Sequence, residues 1–186
     1  MALDPQLLSV LSFLRRHPDV RASLAAPVGK TVVYSGGMFD PTDSNVEREL
    51  TGAWRLLAQA KAQDPVRFDY VTLEERLRMS RITPSGESLL DHANRIAAAL
   101  KARNLPDQAA ILWRALSGIY VQGARGRVRA LILPQAGIAR SVFALTEVHV
   151  LLRADVLRQI EIDPALLRQF RVLVKGGSEP APLVVM

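Results

Sequence analysis

Three separated segments carry residues that could do chemistry together. The first, Trp113-Arg-Ala-Leu-Ser117 followed by Tyr120, puts an indole and a hydroxyl four residues apart, so on a helix both project from one face. The second, Ser141-Val-Phe-Ala-Leu-Thr-Glu147-Val-His149, sets a single carboxylate in an otherwise apolar run, where an ionised side chain is costly unless it has partners or a purpose. The third, Thr72-Leu73-Glu74-Glu75, adds a hydroxyl and two more carboxylates. A carboxylate, flat aromatic surfaces and small hydroxyl donors are what cleavage of a glycosidic bond to a good leaving group requires. The carboxylate stabilises an oxocarbenium ion, the aromatics hold planar rings and the donors hold anionic oxygens.

Each segment also has a purely structural reading. Trp113 can be a core residue and Ser117 a neutral surface position. In a strand, Glu147 can lie on a solvated face, although alternation would set it beside Phe143 and Leu145. Thr72 can be a helix N-cap with Glu75 as its capping-box partner.

Taken together and in order, the segments resemble the ADP-ribosyl cyclase/NAD glycohydrolase family. That family's Thr-Leu-Glu motif is matched by Thr72-Leu73-Glu74, and its Trp-x-x-x-Ser with a following aromatic by Trp113, Ser117 and Tyr120. Its catalytic Glu, preceded four residues earlier by Phe, is matched by Phe143 and Glu147 with Val148-His149 after it. Upstream, Val32-Val33-Tyr34-Ser35-Gly36 resembles the aliphatic strand that ends in Trp-Ser.

The resemblance implies catalytic roles for Glu147 and Trp113, the carboxylate engaging the ribose hydroxyls. It implies Tyr34 as a second aromatic wall and Glu74 as the partner of the nicotinamide carboxamide. Ser35, Ser117 and the backbone N–H of Phe143 would line the phosphate side. NAD would be the substrate, with no metal and no separate cofactor. Tyr34 stands where the family has Trp, and the stretch from Tyr34 to Glu74 is longer than usual, so Trp54 is a rival for that wall. The acidic residue that often follows the Thr-Leu-Glu motif has no clear match near Thr83, which leaves hydrolysis and cyclisation both open. Members without disulfides or export signals look like toxin or effector domains of bacteria, acting in the cytosol of the producing or target cell. Such a domain implies an acidic immunity protein as partner, and neither nucleic acid nor membrane. Mono-ADP-ribosyl transfer is a rival, but Lys30 and Thr31 do not supply the early-strand Arg or His it usually has.

The elements that must position these residues follow from pattern. The 186 residues, 49% hydrophobic and 23% charged, suffice to bury a core without staples. There is no cysteine, which excludes disulfides and Cys-ligated metal and fits reducing cytosol. The net charge of +6 and pI near 10.3 come from dispersed Arg and Lys rather than a basic block. That pattern favours attraction of anions over a nucleic-acid footprint, and a basic nucleic-acid or protein-binding module is the non-enzyme alternative. Leu7, Leu8, Val10, Leu11, Phe13 and Leu14 precede Arg15-Arg16 without a basic leader, so the N-terminus reads as an amphipathic helix rather than a signal peptide.

Lys30–Tyr34 reads as a buried strand, and helices are expected up to Gln63, over Ser88–Arg103 and from Pro106 to Gly123. Val128–Leu133, Val142–Leu152, Leu157–Ile162 and Arg171–Val174 read as strands, and Leu183-Val-Val-Met186 as an apolar edge piece. The expected class is therefore α+β, with a mainly helical lobe over residues 1–125, a lobe with a four-stranded sheet over 126–186, an ADP-ribosyl cyclase-like arrangement and the active-site cleft between the lobes.

Overall fold

The computed structural model describes residues 2–35, 51–80, 86–132, 141–175 and 183–185; of residues 51, 52, 54, 55 and 183–185 only the backbone is described. The Trp54 side chain and the region around Thr83 therefore lie outside it. The fold mixes helices with a small sheet. Helices α1 (Pro5–Arg16) and α2 (Pro18–Leu24) lead to strand β1 (Thr31–Ser35), then come α3 (Thr51–Gln63), α4 (Leu73–Met79), α5 (Leu89–Ala102) and α6 (Pro106–Gln122). Strand β2 (Gly126–Ile132) precedes a π-helical turn (Phe143–Glu147) that runs straight into α7 (Val148–Leu151). Helix α8 (Ala154–Leu157), strand β3 (Ile160–Glu161), helix α9 (Pro164–Val174) and strand β4 (Leu183–Val185) complete the chain.

The helix starts are written locally. Pro5, Pro18, Pro106 and Pro164 each stand in a first turn, where the missing N–H costs nothing. Asp4, Ser88 and Asp163 accept from the backbone of the turn that follows them. Thr72 and Glu75 close a reciprocal capping box at α4.

β2 is the central strand. β1 runs parallel to it from Thr31↔Val128 to Ser35↔Ile132, β3 pairs in parallel with its first two residues, and β4 lies antiparallel along Ala130–Ile132. The start of the β1–β2 pair is set by two glycines at positive φ. Gly29 N–H donates to the Arg125 carbonyl at 2.6 Å, and a Cβ on Gly126 would stand 3.3 Å from the Gly29 backbone. One face of the sheet, with Val33, Val128, Ala130 and Ile132, belongs to the main core built with α1, α4, α5, α6, the π-helical turn and α9. On the other face Val32 and Leu131 pack with Ala53, Leu57 and Tyr70 under α3. Burial on both faces explains why these strands are nearly continuous apolar runs.

Two expected strands are helices. Val142–Leu152 forms the π-helical turn and α7, and Arg171–Val174 is the last turn of α9. In the first, the β-branched residues suggested extension, but the buried positions Phe143, Ala144, Glu147, Val148 and Leu151 follow a helical stripe. Leu145, expected beside Phe143 and Glu147, is exposed. In the second, Leu166 and Phe170 form the buried stripe of an amphipathic helix capped by Asp163. The Leu157–Ile162 run contributes only two strand residues. The expected four-stranded C-terminal sheet is thus not formed by those runs, because its principal partner strand is β1, from the N-terminal part. The β1–β2 pairing and the main core both cross residue 125.

Candidate functional site

The site is organised by a hydroxyl. Tyr120 on α6 is fully buried; its hydroxyl accepts from Val32 N–H at 3.0 Å and donates to the Val71 carbonyl at 2.6 Å. It bridges β1 to the segment that enters α4, beside the single parallel bridge Thr31↔Val71. Three elements are thereby held together: the end of β1 with Tyr34 and Ser35, the first turn of α4 with Glu74, and α6 with Ser117 one turn before Tyr120. The π-helical turn packs against α6 and brings the fourth piece, Glu147.

Glu147 is 8% exposed and accepts a hydrogen bond from the Ser117 hydroxyl through Oε1. The π-helical geometry is marked by Val148 N–H, which donates to the Phe143 carbonyl five residues back. Such wide turns are rare and concentrate at functional sites. Here the turn keeps Glu147 on the buried side of a segment whose other buried residues are apolar. Its Oε2 is buried and has no hydrogen-bond partner among the described residues. Burial pushes the Glu147 carboxyl up to about 8; the Ser117 hydroxyl pulls it down, and the nearby Glu74 carboxylate pushes it further up.

Glu74 is turned toward the same place by the capping box, which consumes Glu75. Glu75 Oε2 takes the Thr72 N–H and its Oε1 takes Lys61, so Glu74 is the carboxylate left facing inward. Burial holds the Glu74 carboxyl above the usual range, against a hydrogen bond from the Tyr34 hydroxyl. Its Oε2 is also enclosed without a partner among the described residues. Burial, reinforced by Glu74 and Glu147, keeps the Tyr34 phenol protonated well above its ordinary range. The result is two enclosed carboxyls, Glu147 tied to the Ser117 hydroxyl and Glu74 near the Tyr34 phenol, each with an oxygen that has no partner among the described residues, and coupled electrostatically to one another. Groups that disfavour each other's ionisation in one enclosed place are the arrangement by which carboxyl sites are tuned for acid and base work near neutral pH.

The structure therefore brings Tyr34, Glu74, Ser117 and Glu147 together. Ser35 is buried at the end of β1, next to Tyr34, and Trp113 is half-buried against the main core one helical turn before Ser117. The Tyr34 ring rests against the cluster under α3, so its hydroxyl is the part that reaches the site. The Phe143 ring is buried edge-on against Phe170, 5.4 Å between centroids, and serves the core. A surface depression of about 250 Å³ between α2 and the end of α6, lined by Pro18, Arg21 and Gln122 among others, contains none of these residues.

Tyr120 stands out in the sequence as an aromatic of the motif but not as a bridging hydroxyl, and the contact of Thr146 with α6 has no signal there. Among the described residues no cluster of potential ligands for a metal ion is found and no helix is long and apolar enough to cross a membrane. No family model, curated protein or solved structure matches the chain.

Proposed function

We propose that this chain is an NAD glycohydrolase of the ADP-ribosyl cyclase type, with that family's kind of fold, which splits NAD into ADP-ribose and nicotinamide and acts as a bacterial toxin or effector domain. The observation that carries the reading is the hydrogen bond from Ser117 to Glu147 in an enclosed place where Glu74 and Tyr34 lie near enough to interact electrostatically. Those residues come from motifs at four distant places in the chain, and their convergence supports a common purpose.

In the proposed reaction the C1′–N bond breaks and its electron pair goes to the pyridinium nitrogen, so nicotinamide leaves neutral. Positive charge develops at the ribose C1′. Ionised Glu147, held in place by Ser117, stabilises that charge in a low-dielectric setting where the attraction is strong. Water then adds to C1′ and gives up a proton, yielding ADP-ribose. A raised carboxyl suits this task, because a cationic pyridinium ring arriving beside Glu147 favours the ionised form. Glu74, steadied by Tyr34, has an open oxygen to accept from the carboxamide N–H. Trp113 supplies the flat surface from the preceding turn of α6. The net charge of +6 suits attraction of the anionic pyrophosphate of the dinucleotide and of an acidic immunity protein.

Chromatography of NAD after incubation with wild type and with Glu147→Gln tests the proposal. Nicotinamide and ADP-ribose should form with wild type, and NAD should survive with the variant. Intact NAD with wild type, equal turnover by both proteins, or transfer of the ADP-ribose label to a macromolecule would each overturn it.

A further inference from the structure

Thr146, the residue before Glu147, is gripped by α6 from two sides. Arg114 Nε donates to Thr146 Oγ1 at 3.0 Å, and Thr146 Cγ2 lies 3.4 Å from where a Cβ on Gly118 would stand. Arg114, Ser117 and Gly118 are three and four apart, hence one face of α6. That face therefore holds two consecutive residues of the π-helical turn, Thr146 through Arg114 and Gly118, and Glu147 through Ser117. A π-helical turn is intrinsically poorer than an α-helical one, so outside contacts must hold it open. If it relaxed to α-helical winding, the residues beyond Phe143 would rotate and the Glu147 carboxyl would turn away from Ser117. The groups acting on Glu147 are Ser117 on α6 and Glu74 on α4, with Tyr34 on β1 and Tyr120 on α6 raised in turn by its charge; Arg114 is not among those that shift it. What Arg114 contributes is therefore a grip, not a counter-charge.

We propose that Arg114 is a positioning residue that acts through the Thr146 hydroxyl to keep the Glu147 carboxyl against Ser117. The kinetic part of the test rests on the NAD-cleaving reading above, and a substrate-free part does not. In Arg114→Met and in Thr146→Val, kcat for NAD cleavage should fall about tenfold with KM within about twofold of wild type, because a misplaced group costs turnover rather than binding. The double variant should be no slower than the worse single one, since both remove the same grip. Thr146→Ser keeps the hydroxyl and should retain most of the wild-type kcat.

Without substrate, the stability of wild type should stop falling with pH near 8, where Glu147 ionises. In both single variants that upper limit should move down, as a reoriented carboxyl gains solvent. If the chain proves not to cleave NAD, this limit alone decides the role of Arg114. An unchanged limit in both variants overturns the proposal. So does an Arg114→Met enzyme with raised KM alongside a Thr146→Val enzyme like wild type, which would make the guanidinium an anion contact.

Discussion

Replacing Glu147 with glutamine removes a titrating group from a place where, among the described residues, its charged form is opposed by the Glu74 carboxyl and no cation lowers it. The carboxyl titrates at 4.5 in an unfolded chain and at about 8 in the folded protein. Between those values the native state holds one proton more than the unfolded state, so stability falls as pH rises, by about 1.4 kcal/mol per pH unit. From pH 5 to pH 8 the loss is therefore about 4 kcal/mol, a large part of the 5–15 kcal/mol typical of a domain. Below the unfolded value the effect is absent, and above the folded value it is complete.

Other shifted groups act elsewhere or in the same direction. Asp4, Glu87 and Asp155 are held below their ordinary values, so their contribution is lost only on the acid side of the window. The raised phenols of Tyr34, Tyr70 and Tyr120 act on the alkaline side. Glu74, also raised, adds a fall of the same sign that the variant retains. Urea unfolding followed by circular dichroism at half-unit steps from pH 5 to 8 reads the slope. With a urea dependence of about 2 kcal/mol per molar, the wild-type midpoint should drop by about 2 M over the range more than that of Glu147→Gln. The amide introduced has its own buried N–H groups and shifts the variant's curve by a constant, so the comparison rests on slope and not on absolute stability. Parallel curves for the two proteins would refute the claim that Glu147 is enclosed and protonated at neutral pH.

Removing the other half of that contact should push the other way: Ser117→Ala deletes the hydroxyl that lowers Glu147, so the falling limb should extend beyond pH 8, and a limb ending at the same pH would show that the bond contributes little. Phe143→Ala should cost about 3–5 kcal/mol in urea unfolding, because its ring fills the core against Phe170. A variant of unchanged stability would instead place that ring on the substrate side. Gly123→Ala should destabilise by about 1–3 kcal/mol and lower the melting temperature, since a Cβ there would stand 2.4 Å from that of Ala25 where α2 meets the end of α6.

Patterns confined to a few neighbouring residues were legible in the sequence. The capping box at Thr72 and Glu75 needs only a three-residue spacing, and Pro106 with the stripe Leu112, Leu116 and Tyr120 marks α6 within one segment. Alternatives between strand and helix were harder. Val142–Leu152 carries both a β-branched composition and a helical stripe, and what decides between them is the packing of Phe143, Ala144 and Val148 into a core supplied by other elements. The partner of β2 is hidden from the sequence for a related reason: an apolar strand declares that it will be buried but not against which strand, and β1 lies more than ninety residues earlier. The candidate site divides along the same line. Glu147 is conspicuous in one dimension as a carboxyl in an apolar run, whereas Glu74 and Ser117 stand out only through the resemblance of their motifs to a family. That Ser117 would reach Glu147, that Tyr120 would tie β1 to α4, and that two carboxyls would end close enough to disfavour each other's charge depends on distances across the core, which no local pattern encodes and only the packed chain decides.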